Sequence, residues 1–144
     1  MNMKNDQQML SFILKATQSG QISIRKVLDT SMRPALRKAL QSQLREYDSI
    51  ESDAYALAAQ RGWDLHEMQP GKRMVAGIIT HMKLRHRNSD SQIADMMIMD
   101  NTQGMIQGLK NLHQYQQQDS QVSALSQRLL DCETASIRQM QSFL

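Results

Sequence analysis

Residues 34 to 62 read PALRKALQSQLREYDSIESDAYALAAQRG, and this stretch decides the fold class. Proline is tolerated in the first turn of a helix, so Pro34 marks a helix start. Apolar side chains then recur at helical spacing, and Gly62 is placed to end the helix with a left-handed cap. The inward positions are Leu36, Leu40, Tyr47, Ile50, Ala54 and Leu57. The pattern predicts one long helix from about residue 34 to residue 61.

Three more long segments show the same helical spacing of apolar residues. Ser89 and Gln92 have the form of a capping box before the third long helix, and Asp119 or Ser120 can cap the last one. The three predicted helices span about residues 6–29, 90–115 and 120–143. The inward stripe of the second of these three is Ala94, Ile98, Met105, Leu109 and Leu112.

The connection between the second and third long helices, residues 62–88, contains a shorter helix at about 72–87. It is long enough to carry the chain from one end of a bundle to the other. We therefore predict an all-α, antiparallel four-helix bundle with a long crossover containing a short extra helix. The bundle is expected to be a single domain over residues 1–144.

The composition agrees with long helices and a core without large aromatic residues. The chain has 144 residues, 4% of them aromatic, and twelve are methionine, whose flexible thioether fills irregular gaps. A single cysteine, Cys132, cannot form a disulfide within the chain, and we expect it to be a buried, inert thiol. No segment approaches the roughly 20 apolar residues of a membrane span. These features predict a cytoplasmic protein without contact with a membrane.

Glutamate is scarce, and this excludes one class of enzyme. Di-iron carboxylate bundles use about four inward glutamates, two of them followed three residues later by histidine. This chain has only four glutamates in total, and the residues three positions after them are Ser49, Ala54, Pro70 and Ser136. A standard di-iron carboxylate enzyme is therefore excluded.

The chain nevertheless resembles the ferritin-like superfamily, in particular the small bacterial groups that include the CotF-type spore-coat proteins. The resemblance lies in residues 34–63, where a Leu-rich helix ends in Gly62-Trp63, and in the helices around 10–28 and 101–112. It covers nearly the whole chain. It implies a ferritin-like bundle with a non-enzymatic structural or interaction role, linked to the spore coat or the stress response.

The resemblance also implies where an active relative would hold its metal ions. Here amides stand at two of the acid positions, and serines stand at both histidine positions, which weakens binding of hard cations. The implied positions are Gln21, Glu46 with Ser49, Asn101, and Glu133 with Ser136. We expect a vestigial site, with no catalytic residue, no cofactor and no bound metal.

Two interpretations of these positions remain open. They could form a buried polar network, or Glu46 and Glu133 could hold one ion in a divergent metal-binding or metal-storing protein. Glu133 falls on the inward stripe of its helix, whereas Glu46 lies about 70° off the centre of its own stripe. A buried Glu133 without a cation should have a raised pKa.

A second class of function is suggested by a local excess of positive charge. Residues 61–87 carry six basic side chains against two acidic ones. A helix-turn-helix is disfavoured, because no turn residue interrupts the helix before Asp100 and Lys110 is the one cation on the would-be recognition helix. Weak phosphate or nucleic-acid contact remains an alternative, through Lys72, Arg73, Lys83, Arg85 and Arg87.

Two further patterns concern assembly and origin. Apolar residues outside the main stripes need a cover, which predicts a homodimer. The uncovered apolar residues are Met96, Met97, Met99, Val75 and Ile79.

Aligning Gly20 with Gly104, and Glu46 with Glu133, gives a weak match between the two halves, as a duplicated helical hairpin would leave.

Overall fold

The structure is a computed structural model that describes residues 3–65 and 89–144. Four helices form an all-α four-helix bundle, as the sequence predicts. The helix predicted at 72–87 lies outside the described residues. The helices are α1 (Asp6–Leu28), α2 (Pro34–Arg61), α3 (Asp90–His113) and α4 (Ser120–Gln141).

The helix ends follow the capping signals of the sequence. Pro34 stands in the first turn of α2, and Gly62 ends that helix with a φ of 69°, the left-handed conformation that favours glycine. Ser89 and Gln92 form the predicted capping box of α3, and Asp119 caps α4 by accepting from the Gln121 N–H. These local signals fix both ends of the second helix and the start of the third.

Polar contacts between helix ends show how the helices run. The Arg61 guanidinium lies 2.7 Å from Asp119, so α2 ends where α4 begins. At the opposite end of the bundle, the backbone N–H of Arg33 donates to Asp90 over 3.2 Å, so α2 and α3 begin together. The end of α2 and the start of α3 therefore lie at opposite ends of the bundle, as a one-crossover topology requires.

A buried carboxylate ties the start of α1 to the connection between α3 and α4. Asp6 Oδ1 accepts the Tyr115 hydroxyl at 2.6 Å and the backbone N–H groups of Gln118 and Asp119, both at 3.1 Å. Lys4 exchanges backbone hydrogen bonds with the same connection. Helix packing and these bonds together fix the position of α1 across the bundle.

The core is aliphatic and rich in methionine, as expected from the composition. Met96 and Met97 are buried, which corrects their predicted place on an uncovered surface, whereas Met99 is 58% exposed. Val75 and Ile79, from the same predicted surface, lie outside the described residues. Trp63 packs against the end of the core, as its position after Gly62 suggested.

The inward face of α3 differs from the predicted one in its second half. The apolar pattern placed Met105 and Leu109 inward, but Leu109 is 45% exposed and Gly108 is buried instead. Glycine at residue 108 allows close packing against α4, because a Cβ there would lie 3.1 Å from the Leu130 side chain. Sequence periodicity gives weight to large apolar residues and none to glycine, so it missed this face.

Within the part of the chain that the structure describes, no helix is long and apolar enough to cross a membrane.

Candidate functional site

Polar side chains from three helices meet in the middle of the bundle. Tyr47 of α2, Asp100 and Asn101 of α3, and Glu133 of α4 form what we call the central polar cluster. The Tyr47 hydroxyl lies 3.3 Å from Asn101 Oδ1 and donates to it. Tyr47, Asn101 and Glu133 are all more than nine-tenths buried. The cluster is thus a largely buried polar site in the middle of the bundle.

Burial shifts the ionisation of the cluster toward its neutral forms. It raises the pKa of Glu133 from 4.5 to about 8, and the charge of Asp100 adds to the shift. Burial likewise raises the pKa of Asp100 from 3.8 to about 6, with Ser23 opposing the change. The pKa of Tyr47 also lies well above its ordinary value, first through burial and then through the charge of Glu133. The predicted burial of Glu133 and its raised pKa are confirmed.

Two glycines make room for the largest members of the cluster. A Cβ at Gly20 would lie 2.6 Å from the Tyr47 ring, and a Cβ at Gly104 would lie 2.7 Å from Glu133 Oε1. At separations this short a side chain on either glycine would force its neighbour to move, and the end of Glu133 can shift more easily than the Tyr47 ring. Gly20 and Gly104 are the residues that the weak internal match aligns, so the two halves place corresponding glycines at the centre. The side chain that faces Gly20 is Tyr47, and the side chain that faces Gly104 is Glu133. The residue that corresponds to Glu133 in the first half is therefore Tyr47, one position after the predicted Glu46.

Gln21 is buried but does not face the central polar cluster. Its amide donates to Asp48 at 2.8 Å and to Glu51 at 3.2 Å, both on α2. These bonds satisfy the amide at the interface between α1 and α2. The sequence correctly predicted a buried Gln21, but not its partners on the neighbouring helix.

Glu46 and Ser49 lie on the outside of the bundle, where both contact Arg128 of α4. The guanidinium lies 3.4 Å from Glu46 Oε1 and 3.0 Å from Ser49 Oγ, and it also donates to Asp53 over 2.6 Å. The side chain of Glu46 is 48% exposed. These two positions therefore belong to a surface ion-pair group and not to the interior site.

Ser136 and Cys132 lie beside Glu133 on the buried side of α4. Ser136 is 2% exposed and Cys132 is 8% exposed. Burial raises the pKa of the Cys132 thiol to about 12, and the charges of Glu133 and Glu46 contribute to the shift. A thiol with so high a pKa is a poor nucleophile at neutral pH, in agreement with the predicted inert Cys132.

The six positions implied by the ferritin-like resemblance therefore do not fit a metal centre. Asn101, Glu133 and Ser136 face the interior, Gln21 turns toward α2, and Glu46 and Ser49 lie at the surface. Residues 3–65 and 89–144 contain no group of three or more histidine, cysteine, aspartate or glutamate side chains that could hold an ion. No chemistry through a metal ion can be derived from this arrangement.

A cavity of about 580 Å³ opens between α1 and α3 and reaches the central polar cluster. Phe12 and Ala16 of α1 line one wall, and the amide side chains of Gln103, Gln107 and Asn111 lie on α3 opposite. Lys15 contributes a cation and is exposed. We call this space the α1–α3 cavity.

Sequence reasoning missed two members of the arrangement. The sequence pattern assigns no role to Asp100 beyond marking the length of an unbroken helical stretch, although its place next to the inward Asn101 is an available signal. Tyr47 was assigned to the core without its polar role. The alignment of Gly20 with Gly104 was the strongest available sign of the central polar cluster.

The remaining predicted contact residues have a different outcome. Lys72, Arg73, Lys83, Arg85 and Arg87 lie outside the described residues, as do three of the four histidines. His113 is exposed at the end of α3. Phosphate or nucleic-acid contact stays a prediction.

Comparison with solved structures shows the fold in two bacterial proteins. The chain is similar to a DUF305 fragment from Deinococcus radiodurans, with a TM-score of 0.72 and 16% identity over 95% of this chain and 93% of that one. It is also similar to the conserved hypothetical protein rv2844 from Mycobacterium tuberculosis, with a TM-score of 0.70 and 12% identity over 96% of both chains. No protein-family model and no curated protein matches the sequence. The likeness shows a shared four-helix-bundle fold.

Proposed function

We propose that this chain is a non-enzymatic, ferritin-like bundle protein with a degenerate metal site, acting in the cytoplasm in a structural or interaction role. One observation carries the proposal: Arg128 holds Glu46 and Ser49 together on the outside of the bundle. A ferritin-like centre would need both positions to face the interior. A link to the spore coat or the stress response rests on the resemblance of the helices to CotF-type proteins.

Assembly into a homodimer is part of the proposal. Met99, Ile106 and Leu109 are exposed apolar side chains on α3. Apolar residues grouped on one helix favour a self-complementary contact between two copies. Analytical ultracentrifugation should give a dimer for the natural chain and a shift toward monomer for Ile106→Lys. A monomeric natural chain at micromolar concentration would contradict this part of the proposal.

A divergent metal-binding or metal-storing protein is the second candidate. The observation that favours it is the pair of carboxyl groups, Asp100 and Glu133, inside the bundle. Carboxylates are the ligands that hard cations prefer. The pair still lacks the additional ligands that a stable site for such a cation needs.

Metal analysis separates the two candidates. The chain is expressed in medium rich in iron and manganese, purified without chelators, and analysed for metal content beside Glu133→Gln. The proposal predicts far less than one ion per chain in both proteins. Stoichiometric iron or manganese that is lost in Glu133→Gln would establish the metal-binding candidate. Glu46→Gln is the matched control, because it removes a glutamate on the surface.

Nucleic-acid contact is tested separately by a gel-shift assay at low and moderate salt. Binding through Lys72, Arg73 and the basic residues that follow would be indifferent to sequence and would weaken as salt is added. Sequence-specific binding that persists at moderate salt would contradict the structural or interaction role proposed for the protein.

A further inference from the structure

We propose that the α1–α3 cavity binds a small organic amine, whose ammonium group lies between the carboxyl groups of Asp100 and Glu133. The proposal goes beyond the function above, which assigns no ligand to the bundle. It rests on four features of the cavity in the described part of the chain: its size, its apolar wall on α1, two carboxyl groups without a basic partner, and one amide donor without an acceptor.

The size and walls of the cavity suit a small molecule. Its volume of about 580 Å³ lies within the range of roughly 300–1,000 Å³ typical of ligand pockets. Phe12 and Ala16 provide apolar and aromatic surface on α1, and the Tyr47 ring lies at the buried end. Because Gly20 has no side chain, α1 and the Tyr47 ring come into direct contact there. An apolar ligand body would lie along this wall.

The charges at the buried end favour a cation. Among the described residues, neither Asp100 nor Glu133 has a basic side chain within ion-pair distance. A buried carboxyl group without a partner either stays neutral or requires a counter-charge. Burial raises the pKa of Glu133, and the charge of Asp100 adds to the shift. Lys15 is the one cationic side chain in the described lining, and it is exposed.

An ammonium group fits this end of the cavity better than a metal ion does. It offers three N–H donors, which two carboxyl groups can accept without further ligands. A metal ion would need additional oxygen, nitrogen or sulfur ligands, and the described residues contain no suitable group of three. An anionic ligand would be repelled by Asp100 or Glu133 whenever either carboxyl group is ionised.

Asn101 narrows the class of amine. Its side chain is 3% exposed and lines the cavity, and its Oδ1 accepts from Tyr47. Within the described part of the chain its Nδ2 donates to no partner. An unsatisfied buried donor is costly, so a ligand oxygen that accepts from it would be favoured. The preferred ligand is therefore an amine with a neighbouring hydroxyl or carbonyl oxygen on an apolar body.

Three probes with the same apolar body test the proposal by isothermal titration calorimetry at near-neutral pH. Phenylethanolamine carries the ammonium and hydroxyl groups, phenylethylene glycol replaces the ammonium with a hydroxyl, and mandelate carries a carboxylate in place of the aminomethyl group. We expect phenylethanolamine to bind at least about tenfold more tightly than the glycol, as one ion pair in a partly buried site requires. Mandelate should bind most weakly.

Substitutions in the cavity test whether the preference for phenylethanolamine over the glycol arises there. Glu133→Gln should remove the advantage of phenylethanolamine over the glycol, and Asp100→Asn should reduce it in the same direction. Glu46→Gln is the matched control and should leave it unchanged, because Glu46 is exposed and bonded to Arg128. Circular dichroism establishes that each variant is folded before titration.

Several results would overturn the proposal. They are equal affinity for the amine and the glycol, tighter binding of mandelate, an amine preference that survives Glu133→Gln, and no amine binding at millimolar concentration. None of these results bears on the metal-content experiment, so failure of the amine site and failure of the proposed function are distinguishable.

Discussion

The carboxylate of Glu133 occupies the space that a side chain at residue 104 would need, since a Cβ on Gly104 would stand 2.7 Å from Oε1. The same relationship joins Gly20 and the Tyr47 ring on the other helix pair. Two helical glycines thus allow two polar side chains into the centre of the bundle. This contact underlies both the central polar cluster and the cavity beside it.

Replacing the two glycines should have unequal effects on stability. Alanine favours a helix over glycine by about 1 kcal/mol. At Gly20 this gain is outweighed, because the buried Tyr47 ring cannot move aside, and we expect Gly20→Ala to lower the free energy of unfolding by about 1–3 kcal/mol. Gly104→Ala should be close to neutral, because the end of the Glu133 side chain can shift. Urea unfolding measures both.

A double-mutant cycle assigns the effect at residue 104 to its neighbour. In a Glu133→Ala background the obstacle is gone, so Gly104→Ala should stabilise the protein by about 1 kcal/mol. If Gly104→Ala has the same effect with and without Glu133, the carboxylate does not occupy the position described.

Stability should fall as pH rises through the range set by Glu133. Its pKa is 4.5 when unfolded and about 8 when folded, so between these values the native state binds more protons than the unfolded state. The free energy of unfolding then decreases with pH, by as much as about 4 kcal/mol over the range. Asp100, with a folded pKa of about 6, adds a change of the same sign at lower pH.

Glu133→Gln isolates this contribution from the other titrating groups. Tyr47 and Cys132 also lie near Glu133, but burial holds both neutral in this range, so among the described residues Asp100 is the neighbour whose titration overlaps with that of Glu133. The free energy of unfolding is measured in urea from pH 5 to pH 8, roughly the interval between the folded and unfolded pKa values of Glu133. As the pH rises through this interval, Glu133→Gln should become more stable relative to the natural chain. If the unfolding free energies of the variant and the natural chain differ by the same amount at every pH in that range, Glu133 is ionised in the folded protein.

Cys132 should be protected from alkylation in the folded protein. Its pKa of about 12 leaves far less thiolate at pH 8 than in the unfolded chain, where the pKa is 9.0. Iodoacetamide should react at least about 100-fold more slowly with the native protein than with the protein in denaturing urea. Equal rates in the two conditions would place the thiol at the surface.

Removing Arg128 should cost little stability despite its three contacts. The Arg128 side chain is 36% exposed, and the acids that it pairs with, Glu46 and Asp53, are about half exposed. Water and salt screen such pairs, so Arg128→Gln should lower the free energy of unfolding by less than about 1 kcal/mol, with a smaller effect at high salt. Arg25→Gln, which removes the exposed pair with Asp48, is the matched control. A decrease of several kcal/mol in the free energy of unfolding would show that the contacts of Arg128 support the core.

Local signals in the sequence predicted most of the fold. Pro34, Gly62 and the Ser89–Gln92 pair act within one helical turn of their own positions, so their effects can be read without knowing the rest of the chain. The inward stripe of α2 is also correct, because its large apolar residues alone decide which face is buried. The helix predicted over residues 72–87 lies outside the described residues.

The candidate site could be predicted only in part, because it depends on contacts between helices. The inward position of Glu133 follows from the periodicity of α4, and the angle of Glu46 to its stripe already indicated the surface. The partners of Gln21 on α2 depend on how two helices are rotated against each other, which one helix does not specify. Gly104 contributes nothing to an apolar pattern, so periodicity could not predict that its face of α3 lies against Glu133.

The most direct measurement is a crystal structure of protein grown with excess iron and manganese, with anomalous scattering recorded at both metal edges. The account predicts no peak among Gln21, Glu46, Asn101 and Glu133, with Glu46 in contact with Arg128 at the surface. A metal peak coordinated by both Glu46 and Glu133 would contradict it.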